Sequence, residues 1–167
     1  MMGITGSIVG SIHRKGYWLI QEWDPADVPT DPDALLRAYL EGHGRIIQNI
    51  ITNVGIAEMA KRNLGLSSTS NNKILIGSSN TPTPQAAQTA LTTQTGSVNV
   101  SSRTLEGTTE RYLATVTSGS VGADKNIGEL GLAANAILIS RVVVNPRLLL
   151  SSTKTYTAMT LIDHALG

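Results

Sequence analysis

Residues 111–117, RYLATVT, place Tyr112, Ala114 and Val116 on one side of an extended chain, with Arg111, Thr115 and Thr117 among those on the other. Successive side chains of a strand point to opposite faces, so this stretch reads as a strand with one buried face. On its amino-terminal side, SVNVS (97–101) turns Val98 and Val100 the same way, and KILIG (73–77) is a short apolar run bounded by polar loops, the pattern of a buried strand. On its carboxy-terminal side comes the glycine-punctuated connection SGSVGADKNIG (118–128). IGELGL then leads to AILISRVVV (136–144), apolar on both faces apart from Ser140 and Arg141. Asn145-Pro146 is expected to end that strand, and residues 147–150 and 155–162 read as two more. Several short strands separated by turn signals predict a mainly β protein, an antiparallel β-sandwich or jelly-roll-like domain with one or two short helices and an amino-terminal arm.

The helices have recognisable ends. Asp31 followed by Pro32 is an N-cap with proline at the first helical position, and a helix over 32–40 would bury Leu35, Leu36 and Tyr39 and stop at Gly42. RIIQNII (45–51) is β-branched and reads as a strand, although one helix over 46–64 also fits the spacing. From Thr52 to Leu64 the period changes: Val54, Ala57, Ala60 and Leu64 recur at three- and four-residue spacing, the pattern of a helix. Thr52 or Asn53 can cap this helix, Lys61 and Arg62 suit its last turn, and Gly65 ends it. Residues 85–91 could form one further helical turn.

Residues 1–23 hold Tyr17, Trp18 and Trp23, three of the six aromatic side chains, and the proline- and aspartate-rich stretch DPADVPTDPD (24–33) follows. The expected organisation is an arm and linker with a short helix over 1–44, and a β-sandwich domain over 45–167. Aromatic side chains gathered near a terminus belong to a segment that docks, either on its own domain or on a partner, and Tyr17, Trp18 and Trp23 are the candidate partner-binding residues.

Composition narrows the function classes. Only 15% of the residues are charged, below the roughly 25% usual for globular proteins, and 15 Ser and 19 Thr take their place. Such a neutral, hydroxyl-rich surface suits a protein covered by neighbours. A net charge of +1 and six aromatic residues give neither the basic footprint nor the stacking platform of a nucleic-acid binder. With no cysteine, disulfides and thiolate metal sites are excluded. Met1–Ile12 lacks the leading positive charge of a signal peptide and is too short to span a bilayer, so no membrane association is expected.

The residues of reaction chemistry are sparse. His13, His43 and His164 share no metal-ligand spacing. Asp24, Asp27, Asp31 and Asp33 lack the alternate spacing and the glycine of a calcium loop, so turn and cap roles are expected. Gly77-Ser78-Ser79-Asn80-Thr81 lacks the second glycine of a nucleophile elbow, and no phosphate loop or dinucleotide fingerprint occurs. No catalytic residue, cofactor or metal is assigned, and the basic residues, Arg141 among them, are expected to be a solvated scatter.

The order of NIITNVGIAEMAKRNLG (49–65), KILIGSSNTPTPQAAQTALTTQ (73–94), RYLATVTSG (111–119), NIGELGLAANAILISRVVV (126–144) and a last Thr-rich strand resembles tailed-bacteriophage virion proteins over roughly residues 46–162. Those proteins carry an Asn-Ile-x-x-Asn-x-Gly helix, a strand ending in Gly-Ser or Gly-Thr, and an Ile-x-Glu-x-Gly-Leu segment before an Ile-x-x-Arg-Val strand. Ala133 and Ala134 stand where that pattern has an aromatic residue, and the amino-terminal arm is not part of it. The resemblance implies a non-enzymatic capsid cement or decoration protein on the virion exterior, a homotrimer whose partners are further copies of itself and the major capsid protein. The alternative it implies, ranked second, is a tail or head-fibre module for host attachment.

Overall fold

The computed structural model describes residues 15–81 and 83–164. Within these residues, nine strands form one curled antiparallel sheet. They are β1 (Lys15–Trp23), β2 (Arg45–Ile51), β3 (Lys73–Gly77), β4 (Gln94–Asn99), β5 (Ser102–Glu106), β6 (Thr109–Val116), β7 (Asn126–Ala134), β8 (Ile137–Leu149) and β9 (Thr155–Asp163). Two α-helices, α1 (Pro32–Leu40) and α2 (Asn53–Asn63), and a short 3-10 turn at Ser118–Ser120 complete the elements of the described residues. The spatial order is β4-β3-β7-β8-β2-β1-β9-β6-β5.

β2 belongs to both halves of this sheet. Residues 45–49 pair with β1, whereas Ile50 and Ile51 pair with β8. The sheet bends there and folds onto itself as a sandwich. The inner face of one half brings Trp18, Tyr112, Tyr156 and Ile162 against Ile74, Leu130, Leu132 and Val144 of the other. Val100 and Ser101 carry the chain from β4 to β5 across the open side, held by Val100 N–H to Asn72 O and Ser101 N–H to Leu113 O.

Period-two alternation is realised as expected in β6, where Tyr112, Ala114 and Val116 face the core. α1 lies on the outer face of the first half and joins Leu19, Leu113 and Met159 through Leu35, with Leu36 and Tyr39 at the margin. Asp31 caps it by accepting from Asp33 N–H at 3.0 Å. Gly42 follows with φ +92°, a left-handed conformation that glycine adopts without a side-chain clash.

Three expectations need correction. First, the division at residue 44 does not describe this chain. β1 runs through the middle of the sheet, paired along its length with β9 and with β2, so removing it would cut the sheet in two. Second, β8 continues past Asn145-Pro146. Residues 144–147 bulge opposite Gly128, between the Ile127–Leu148 and Glu129–Val143 pairs, and a bulge is a place where a strand tolerates a proline without an amide donor. Third, residues 85–91 form only a turn, closed by Gln88 N–H to Gln85 O. Two stretches left unassigned by the sequence are strands: IGELGL is the middle of β7, and β5 makes a hairpin with β6.

Candidate interaction surface

The strongest surface feature grows out of the junction between β2 and α2. Thr52 holds it: its backbone N–H donates to Ile139 O at 2.9 Å, and its hydroxyl donates to Leu138 O at 2.5 Å while accepting from Gly55 N–H at 3.0 Å. One threonine thus caps α2 and moors it to β8. Gly55 then lies directly on the β8 backbone, where an added Cβ would stand 2.4 Å from Ile139 O.

This docking decides which way the helix faces. The buried residues of α2 are Gly55, Glu58 and Met59. Glu58 accepts from the hydroxyls of Ser67 and Thr69, whose hydrogen bonds hold its carboxyl below the usual range, the Ser67 hydroxyl most strongly. Arg62 reaches Thr69 at 3.1 Å and Asn71 at 2.9 Å. The polar side of the helix is therefore consumed in fastening the returning segment 67–71.

Large apolar side chains are left on the outward side, beside Asn53, Lys61 and Asn63. Ile56, Ala60 and Leu64 fall four residues apart on one helical stripe. Gly65, at φ +70°, closes the helix with its N–H on Arg62 O, and Leu66 N–H returns to Lys61 O. That pair of bonds is the Schellman arrangement, which brings the residue after the glycine alongside the last turn. Ile56 is 44%, Leu64 74% and Leu66 73% exposed. Of the residues whose spacing marks the helix, Val54 is half-buried and Ala57, Ala60 and Leu64 are exposed, because a glycine, not a large apolar residue, makes the closest approach to the sheet.

The amino-terminal aromatics part company. Trp18 is 0% exposed, in the middle of the core, so it cannot serve as a partner anchor in the folded protein. Its even-numbered position on β1 points into the sandwich, as do Ile20 and, across the ladder, Thr160. Trp23 is half-buried against the α1 cluster, donates to Thr157 Oγ1 at 3.0 Å and stacks on His43 with ring centroids 4.3 Å apart. Tyr17 is half-buried at the Leu161 and Gln48 positions of the ladder. The three share a strand but not a surface.

Most of the acidic and histidine residues singled out in the sequence are engaged in holding the fold. Asp24 pairs with Lys154 at 2.6 Å, Asp31 caps α1, and Asp33 meets Arg111 at 2.6 Å. His43 Nε2 lies 2.6 Å from Glu22 O, and His164 lies 3.5 Å from Glu110; His13 lies outside the described residues. Ser79 donates to Thr81 O. Among the described residues no three His, Asp or Glu gather closely enough to hold a metal ion. No described helix is long and apolar enough to cross a membrane.

Arg141 corrects the expectation of a solvated scatter. It is fully buried on β8 against Glu129 of β7, with Nε to Oε2 at 2.8 Å. Its other nitrogens reach Gln88 Oε1 at 2.9 Å and Thr92 Oγ1 at 3.1 Å, while Glu129 accepts from the backbone N–H groups of Thr92 and Thr93. The pair straps residues 85–93 over the outer face of the sheet, where Gly77 leaves room for the carboxylate. The spacing of Glu129 and Arg141 on two successive strand segments was the only signal for it in the sequence.

Compared with known proteins, the chain matches no family model, no curated protein and no solved structure.

Proposed function

We propose that this chain is a non-enzymatic structural protein that works by contact, a capsid cement or decoration protein of a tailed-phage head that bridges major capsid proteins as a homotrimer. One observation carries the contact role: with Glu58 and Met59 held inward, α2 and the residue after its glycine stop leave Ile56, Leu64 and Leu66 exposed and free to be covered. Large apolar side chains presented together on a rigid element mark an interaction site. Three such side chains give a modest contact, but repetition over the equivalent sites of a shell multiplies weak contacts through effective concentration. The location on a viral head rests on the likeness of residues 46–162 to virion proteins.

The test has two parts. Leu64→Lys with Leu66→Lys changes only exposed positions and is expected to leave stability within about 0.5 kcal/mol. The same pair is expected to abolish trimerisation in sedimentation analysis and binding to heads stripped of the protein. Re-adding the unaltered protein should restore the heat resistance of stripped heads. A double variant that still assembles and still protects would remove the α2 face from the proposal. Heads whose heat resistance ignores the protein altogether would remove the cement role, and immunogold label confined to tails would favour the attachment role instead.

A further inference from the structure

The two edges of the sheet are treated differently. At one edge, β4 is covered: Gly96 bridges Val121, Gly122 N–H donates to Thr95 O at 3.0 Å, and the approach is so close that a Cβ on Gly96 would stand 2.2 Å from Ser120 O. At the other edge, among the described residues, β5 pairs with β6 alone, and its residues Arg103–Glu106 are exposed. Open edges are ordinarily blunted, because their unpaired backbone groups accept another strand.

The hairpin fixes which groups are free. Glu106 and Thr109 flank a two-residue loop, Gly107-Thr108, and so form the closing pair that exchanges both hydrogen bonds. Thr104 with Arg111 and Ser102 with Leu113 follow at the same alternation. The N–H and C=O groups of Arg103 and Leu105 consequently point away from β6, toward the open edge. Leu105 is also 69% exposed.

A cleft lies on each face of this edge. On the outer face, a cleft of about 300 Å³ between β5 and the start of α1 is lined by Asp31, Asp33, Glu106 and Arg111. Arg111 lies at its floor, bound to Asp33 and Glu106, while the three carboxylates stand at the mouth with side chains more than half exposed. Arg37 reaches Asp31 from the rim at 3.8 Å, leaving one negative charge in excess. On the inner face, a cleft of about 240 Å³ is lined by Arg103, Leu105, Glu110 and Tyr112. An added strand sends alternate side chains to alternate faces, so one would enter each cleft.

We propose that β5 is a docking edge for an extended strand of a partner protein, one that carries a lysine or arginine where it faces the Asp31–Asp33–Glu106 cleft and an apolar residue where it faces Leu105 and Tyr112. The backbone of Arg103 and Leu105 supplies the hydrogen bonds, and the acidic mouth selects the charge. This edge is separate from the α2 face, and the proposal stands without it.

The probe is a short synthetic peptide alternating valine and threonine with one central lysine, beside a counterpart with glutamate in its place. Amide resonances of the full-length protein are followed during titration. The lysine peptide should shift the Arg103 and Leu105 amides and slow their hydrogen exchange, and the glutamate peptide should bind roughly tenfold more weakly or worse. Leu105→Pro deletes an outward donor without touching the β6 ladder, a placement proline tolerates on an edge, and should abolish binding. Shifts confined to other strands, equal binding of the two peptides, or binding that survives in Leu105→Pro would each overturn the proposal. So would a concentration-dependent dimer lost in Leu105→Pro, which would make a second copy the occupant. The amide shifts are read on the unaltered protein, so the result does not depend on how the variant folds.

Discussion

Replacing Arg141 by Met should be among the most damaging single changes in this protein. The substitution keeps an unbranched side chain of similar length and leaves the Glu129 carboxylate fully buried with only the Thr92 and Thr93 amides for company. Removing one partner of a buried ion pair typically costs about 3–5 kcal/mol, because the remaining charge has lost its compensation and cannot reach water. For a chain of this size about 1 kcal/mol shifts Tm by roughly 2–4 °C, so the expected drop is roughly 6–20 °C. Adding Glu129→Gln to the same protein should recover about 1 kcal/mol or more, since a neutral amide costs less to bury and its oxygen can still accept from one threonine amide. Urea denaturation followed by tryptophan fluorescence is suited to this, as Trp18 and Trp23 both sit on the central strand β1. The reasoning is refuted if Arg141→Met costs less than about 1 kcal/mol, or if Glu129→Gln deepens the loss when Arg141 is already gone.

Three further outcomes are expected. Gly55→Ala should destabilise by about 1–3 kcal/mol, since its Cβ would stand 2.4 Å from Ile139 O; a gain in stability, as the roughly 1 kcal/mol better helix propensity of alanine would give, would mean that α2 does not sit on β8. Glu58 has its carboxyl pKa held below 4.5, so its stabilising contribution is present above that value and fades as pH falls through the lowered one; acid titration of unfolding should show the unaltered protein converging on Glu58→Gln below about pH 4.5, and a gap that persists in acid would contradict the assignment. Trp18→Ala should cost about 3–5 kcal/mol, whereas Trp23→Phe, which keeps the ring beside His43 and gives up the hydrogen bond to Thr157, should cost about 1 kcal/mol in the same denaturation assay; equal losses would contradict their placement.

Much of the local structure was legible because it is enforced locally. Asp31-Pro32 and Gly42 bracket α1, and Thr52 and Gly65 bracket α2, since caps and left-handed stops are made by neighbours in the chain. Alternation marked β6 because one of its faces is buried and the other carries Arg111 and Thr115. The misreadings share a cause of the opposite kind. β1 looked like an arm because its partners β2 and β9 lie up to about the full chain length away, and no periodicity reports a pairing between Trp18 and Thr160. Pro146 looked like a terminator because the bulge that shelters it is created by Gly128 on another strand. Arg141 looked like surface charge because its counter-ion sits twelve residues earlier, on a strand that must first pair with its own.

In α2 the helical period of Val54, Ala57, Ala60 and Leu64 is legible, but not which side meets the sheet. Ile56, Ala60 and Leu64 form an exposed stripe, whereas a helix ordinarily sends its apolar stripe to the core of the same chain. Here the closest approach to β8 is reserved for Gly55, and a large residue in that position would push the helix away from the sheet. With glycine and Met59 facing inward, the polar Glu58 lies between the helix and the segment that follows it, and Ser67, Thr69 and Arg62 surround it with donors. Burying a carboxylate in this way is costly unless every nearby donor is aimed at it. Turning α2 over, so that its apolar stripe faced the sheet, would leave Glu58 without those donors and press Ile56 into the Ile139 backbone. The outward apolar face is therefore fixed by the packing beneath it. A partner that covers Leu64 and Leu66 would meet a surface already in its bound orientation, with little ordering cost left to offset.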